Sequence, residues 1–326
     1  MDDVREMTVN VMDKVRALDL MHASEWERAL SAFGQAARDG GPDDAVVYAS
    51  HLGRVGRTLD REWMRDKERR ILDDALVRWP DHIGVMLARA ALMPWSAERM
   101  ELHKRALDRG ISRRALYEAW KCALAIGHPD ASHYCDAYER LIGRNAEWLS
   151  LSIWMDAIKR GEPPILPDIE SRDVPISDGL IEALRNLRWN RSYSGPRALL
   201  WRTPLDALLI TCDPTITAWR DALADGSTIR KAWGLRGTSF PEERPHIHDG
   251  STSIVVHVVV PNEISDDNHA GWLELGRPDF PVPFEPIVHV VKPIAGRAIL
   301  FTSPLYHRVI AGAFDSERMS VAIEVA

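Results

Sequence analysis

The spacing of apolar positions changes once along this chain, and the change divides it. From about residue 10 to 160, apolar residues recur every three and four positions, which places them on one face of a helix. The stretches SEWERALSAFGQAARDG, DAVVYASHLGRVGRTL, REWMRDKERRILDDALVRW, GVMLARAAL, SAERMELHKRALDRG, SRRALYEAWKCALAIG and ASHYCDAYERLIG each predict a helix. Stops stand at Gly40-Gly41, Pro80, Gly110, Gly127 and Gly143, because glycine leaves a helix without steric cost and proline cannot continue one. Ser24, Ser96, Ser112 and Asp130 occupy N-cap positions, where a side-chain oxygen can accept a free backbone N–H. Leu76, Leu107 and Leu141 follow one another at intervals of 31 and 34 residues, close to the helical-hairpin period of tetratricopeptide arrays. The signature Trp, Gly and Tyr positions of such arrays are not cleanly kept. Residues 1–160 are therefore expected to form a short helical-repeat domain.

Residues 161–176, GEPPILPDIESRDVPI, carry four prolines and read as a linker. One more helix is expected over 178–188 and another in ITAWRDALADG. From Thr228 onward the grammar is β, in TIRKAWGLRG, TSIVVHVVVP, GWLELGRP, IVHVVKP, GRAILFTSP, YHRVIAGA and RMSVAIEVA. These are short Val/Ile-rich runs punctuated by Gly and Pro. That many strands in succession predict a jelly-roll, or double-stranded β-helix, over residues 177–326. The fold class is α+β.

Composition narrows the function classes. A net charge of −7 argues against an extended nucleic-acid footprint. No apolar run reaches membrane-spanning length, and MDDVREMTVNVMDKVR lacks the apolar core of a signal peptide. Cys122, Cys135 and Cys212 are scattered and odd in number, which fits a reducing cytoplasm better than a disulfide framework or a thiolate metal cluster. Neither a phosphate loop nor a G-x-S-x-G elbow is present.

The candidate chemistry lies in the last eighty residues: His246-Ile247-His248-Asp249, then His307, then Arg318-Met319-Ser320. Two residues apart on an extended strand, His246 and His248 share a side. His307 ends an apolar segment that would return it to the mouth of the barrel. Three protein ligands leave open positions on a mononuclear iron, and imidazole suits Fe(II). Arg318 and Ser320, on one side of a later strand, form a clamp for a carboxylate, the guanidinium binding it bidentately. The bland alternative is an edge-strand Arg318 paired with Glu317. His257, His269 and His289 fall outside the motif and are read as ordinary core or surface residues. The ligand set expected from alternation is His246, His248 and His307. The competing arrangement replaces His248 by Asp249 in a two-histidine, one-carboxylate triad, with the chain turning at Gly250.

The segments KAWGLRG, PHIH, GWLELGRPDF, VVKPIAGRAILFTSPLYH and ERMSVAIEV resemble those of bacterial 2-oxoglutarate/Fe(II) oxygenases that carry N-terminal tetratricopeptide-like repeats. The resemblance covers the C-terminal 150 residues or so. It implies a distorted jelly-roll with Fe(II) and 2-oxoglutarate in its mouth. By position it matches His246 and His248 to the family's H-x-H segment, His307 to its distal histidine, Arg318 to its 2-oxoglutarate arginine and Ser320 to an R-x-S arrangement. The chain departs from the family after the H-x-H segment, at Val256-His257-Val258 where paired aromatics are usual, and at Tyr306 where Trp is common. Substrate specificity therefore does not carry over.

These readings predict a 2-oxoglutarate-dependent dioxygenase. It would hydroxylate a small molecule such as an amino acid, a peptide or a protein, and release succinate and CO2. The helical domain would bind a peptide or pair subunits. The other class of reading is a non-catalytic helical-repeat scaffold with a degenerate barrel. A cupin-like dioxygenase with three histidines and no 2-oxoglutarate is disfavoured by Arg318 and Ser320.

Overall fold

The computed structural model describes residues 26–58, 61–142, 149–187, 190–191, 200–204, 219, 228–240, 244–248 and 250–325. It divides into two compact units, Met1–Gly143 and Arg144–Ala326.

In the first unit the described residues form α1 (Trp26–Asp39), α2 (Pro42–Thr58), α3 (Glu62–Arg78), α4 (Ile83–Ala91), α5 (Ala97–Arg109), α6 (Arg113–Ala125) and α7 (Ala131–Ile142). The Ser96 and Ser112 side chains accept the N–H of Arg99 and Ala115, as expected of N-caps. Ser24 lies outside the described residues. Each helix packs mainly on its neighbours in the chain. Met86, Leu87 and Ala90 of α4 meet Leu102 and Ala106 of α5 and Ala115 of α6. The leucine spacing is only partly matched by burial: Leu76 and Leu107 pack against this core, whereas Leu141 is exposed. Spacing fixes how often a residue recurs, but the neighbouring helix decides which face is covered.

The second unit begins with α8 (Leu149–Arg160), β1 (Glu170–Asp173) and α9 (Asp178–Arg185). It continues with β2 (Asn190–Arg191), β3 (Leu200–Pro204), β4 (Ile229–Phe240), β5 (Thr252–Val259), β6 (Leu273–Leu275), β7 (His289–Val291), β8 (Arg297–Thr302), β9 (His307–Val309) and β10 (Gly312–Val325). The unit boundary at residue 143 gives α8 to the strands rather than to the helical region. The stretch expected to be a linker contributes β1, whose residues pair antiparallel with β8. Its sequence, ESRD, shows no alternation, so only the open edge of β8 makes it a strand. The helix expected in ITAWRDALADG lies outside the described residues, apart from Trp219. Among the described residues no helix is long and apolar enough to cross a membrane.

Two antiparallel sheets result, one ordered β1-β8-β5-β10-β4-β3-β2 and one ordered β7-β6-β9. Alternation assigns each strand two roles. Ile254, Val256 and Val258 of β5, Ala298 and Leu300 of β8, and Met319, Val321 and Ile323 of β10 pack beneath Leu180 and Leu184 of α9. Ile299 and Phe301, on the other face of β8, meet Leu273 and Leu275 of the small sheet. The large sheet is thus covered on both faces at β5 and β8, which is why these two strands are mostly apolar. The candidate site lies between the two sheets.

A candidate metal and anion site

Three imidazoles meet at one end of the gap between the sheets. His246 forms an isolated antiparallel bridge with His307, each N–H donating to the other's carbonyl at 3.0 Å. Two residues on, the His248 N–H donates to the Ser303 carbonyl, also at 3.0 Å. Both histidines therefore use the same edge and project to the same side, as the H-x-H spacing predicts. The segment is not the full strand expected of it: only the bridge at His246 is regular. Pro245 has no N–H to lengthen a ladder. His307 follows a break between the strands expected in GRAILFTSP and YHRVIAGA, because β8 ends at Thr302. A turn closed by the Leu305 N–H on the Thr302 carbonyl, at 2.9 Å, then reverses the chain. His307 opens β9 in the small sheet.

The ring centroids of the three histidines are 4.6 to 5.1 Å apart. One ring nitrogen from each lies within 4.8 Å of the others. Their outer nitrogens are tied down. His246 Nδ1 is 3.1 Å from the Arg244 carbonyl and His307 Nδ1 is 2.8 Å from that of Leu305. His248 Nδ1 is 2.9 Å from Oε1 of Glu324. Carbonyl oxygens only accept, so Nδ1 of His246 and of His307 donates, and Nε2 is the ring atom left to face a metal. Burial first, and then the neighbouring His246 and His248 rings, hold the His307 imidazole well below its ordinary pKa. Three converging imidazoles with oxygen atoms behind their Nδ1 positions fit a divalent first-row metal such as Fe(II). Asp249, the alternative carboxylate, lies outside the described residues.

A cavity of about 90 Å³ runs from these rings along β10. Arg318, Ser320, Ala322 and Glu324 alternate on one side of that strand, opposite the side packed under α9. Arg318 is 1% exposed, and its guanidinium carbon sits 4.5 Å from the centre of the Phe240 ring. The edge-strand reading of this residue does not hold, since β10 lies between β4 and β5 in the middle of the large sheet. Glu317, its suggested surface partner, contacts Arg185 at 3.0 Å and also engages Arg236. Arg318 and Ser320 both line the cavity, so its far wall offers a buried cation and a hydroxyl.

The structure adds residues that the motif did not name. Glu324 lies against His248, and the Trp233 ring sits tilted beside that imidazole, 5.4 Å between centroids. The period of two from Arg318 through Ser320 to Glu324 was the signal for the first; Trp233 had none beyond its place in a strand. His257, read as an ordinary histidine, lines the cavity and is fully buried. His269 lies tilted against Trp272 and His289 is exposed, and neither lines the cavity.

Residues 231–324 match the family described as "Putative 2OG-Fe(II) oxygenase". The chain is similar to a solved prolyl-4-hydroxylase of Pseudomonas putida at 17% identity, over 54% of this chain and 98% of that one, with a TM-score of 0.31. It is similar to HygX of Streptomyces hygroscopicus, solved with nickel and 2-oxoglutarate, at 14% identity, over 48% and 82% of the two chains, with a TM-score of 0.33. A prolyl hydroxylase of Trichoplax adhaerens, solved with a hypoxia-inducible-factor peptide, gives 13% identity over 55% and 89%, with a TM-score of 0.34. No curated protein matches the chain.

Proposed function

We propose, from the premise that residues 231–324 carry the sequence of a 2-oxoglutarate/Fe(II) oxygenase, that this chain is a dioxygenase whose iron is held by His246, His248 and His307. Arg318 and Ser320 hold the distal carboxylate of 2-oxoglutarate. The observation that carries this reading is the convergence of three imidazoles whose Nδ1 atoms all face oxygen acceptors. Iron held by these residues, with 2-oxoglutarate and O2, would supply the oxidising power for hydroxylation, with succinate and CO2 as co-products.

The chain's own residues bind, orient and exclude water. The Arg244 and Leu305 carbonyls and Glu324 fix the ring orientations. Arg318, out of water and with its guanidinium over the Phe240 ring, fixes a dicarboxylate by its far end, where a buried charge is most effective. The two facing sheets are read as a jelly-roll and the helical unit as a tetratricopeptide-like stack. Helical stacks present surfaces to peptides and proteins, so that unit is assigned to binding a substrate or pairing subunits. The prime substrate is placed among amino acids, peptides and protein side chains.

Succinate formation is the test, with Fe(II), 2-oxoglutarate and O2 each withheld in turn, prime substrate absent. All three are expected to be required. Iron content of His248→Ala and Asp249→Ala proteins then decides the ligand set. Loss in the first and retention in the second supports three histidines; the reverse places Asp249 in the site.

A further inference from the structure

Among the described residues, the cavity wall holds an imidazole with no hydrogen-bond partner on either nitrogen. This is His257, which lies on β5 and is 0% exposed. Leaving a buried polar group unmet is unfavourable, so a ring with two such atoms is a costly way to fill a core. Ser253, Ile254 and Val255 also line the cavity from β5. On the adjacent strand, His257 pairs in register with Ser320, and Arg318 follows across the bulge at Met319. Cation, hydroxyl and imidazole thus come from neighbouring strands onto one end of one cavity. Burial and the charge of Arg318 bring the His257 pKa down to about 3, so the ring is neutral at ordinary pH and has one N–H to give.

We infer that His257 is a third contact to the distal carboxylate of 2-oxoglutarate, donating a ring N–H beside Arg318 and Ser320 and so helping to select a dicarboxylate over a monocarboxylate. This rests on the oxygenase reading. A neutral donor suits the place: a second cation next to Arg318 would be repelled by it, whereas an imidazole N–H adds a bond without adding charge. A phenyl or aliphatic side chain at 257 would fill the same space and leave one carboxylate lone pair unmet.

The test is calorimetric binding of 2-oxoglutarate to the full chain loaded with Mn(II) under argon, compared with 2-oxopentanoate, which has the same length and no distal carboxylate. His257→Phe is expected to weaken 2-oxoglutarate by about ten-fold or more, to leave 2-oxopentanoate unchanged and to bind Mn(II) as the wild type does. His257→Gln, which keeps an N–H donor, is expected to recover part of the loss. In the wild type loaded with diamagnetic Zn(II), the His257 ring N–H proton resonance is expected to move on adding 2-oxoglutarate and to stay put on adding 2-oxopentanoate. That measurement needs no folded variant. Equal 2-oxoglutarate affinity in His257→Phe, parallel loss of both ligands, or a ring proton indifferent to 2-oxoglutarate overturns the assignment alone. A wild-type protein that binds Mn(II) but no 2-oxoglutarate overturns the oxygenase reading as well.

Discussion

Individual side chains around the imidazoles have separable jobs. Glu324 touches His248 but is not in the three-histidine cluster. Groups behind a metal-binding histidine fix its tautomer, and their loss typically lowers metal affinity by roughly 10–100-fold. Glu324→Ala is expected to weaken Mn(II) binding by that order, and Glu324→Gln, which still offers an oxygen acceptor, by less; competition against a chelator measures both. Arg318 acts at the other end of the cavity. Arg318→Ala is expected to keep the metal and to weaken 2-oxoglutarate by about thirty-fold or more, the scale of breaking a buried charge pair. Unchanged affinity in calorimetry would remove Arg318 from the proposed clamp.

Two elements make predictions of their own. Gly271 stands at φ +77°, and a Cβ there would come 2.8 Å from Phe314 Cζ and 3.3 Å from Arg318 Nη1. A side chain is strained in that backbone region, and this one also presses on the buried guanidinium. Gly271→Ala is expected to lower the unfolding midpoint and to weaken 2-oxoglutarate binding together. The junction of α5 and α6 carries a buried charge cluster: Glu118 contacts Lys121 at 3.0 Å and Arg99 at 3.5 Å, with His103 beneath Arg99. Burial first, and then Arg99, depress the His103 pKa to about 4. The folded ring is therefore neutral where the unfolded chain takes up a proton. Stability is full above the ordinary value of 6.5 and is lost as pH falls from there towards 4. Between pH 7 and pH 5 this one residue is expected to remove about 2 kcal/mol. Urea titrations of wild type and His103→Gln across that range measure it; identical pH slopes would count against a neutral buried His103.

At the scale of the whole molecule, the boundary between units decides which fragment is worth making. Trp154 of α8 lies 5.9 Å from the Phe280 ring and 6.2 Å from that of Tyr306, the residue before His307. A cut in the proline-rich stretch near Ser171 removes this indole and part of β1. Deleting a buried aromatic typically costs about 3–5 kcal/mol, so a fragment from Ser171 is expected to melt well below one from Arg144. The longer fragment is expected to bind Mn(II) and 2-oxoglutarate and to form succinate without a prime substrate. If the helical unit binds substrate, that fragment loses coupled turnover; full activity on a substrate would return the helices to another role.

The sequence by itself determined what depends on periodicity and on residue chemistry. Seven helices followed their apolar spacing, and Ser96 and Ser112 capped where they were expected. The later strands followed their Val/Ile runs, and H-x-H, His307, Arg318 and Ser320 announced a site because imidazoles and a guanidinium in that order suit a metal and a carboxylate. Tertiary structure decided what depends on a distant partner. ESRD is a strand because β8 offers an edge, and α8 joins the second unit through Trp154 packing on Phe280 and Tyr306. His307 faces the other histidines because a turn after Thr302 moves it into the second sheet. His257 looked ordinary because nothing within a few residues of it in sequence carries its meaning. It shares a cavity with Arg318 only through the β5–β10 register, and a register is set by the packing of both strands under α9, not by either sequence alone.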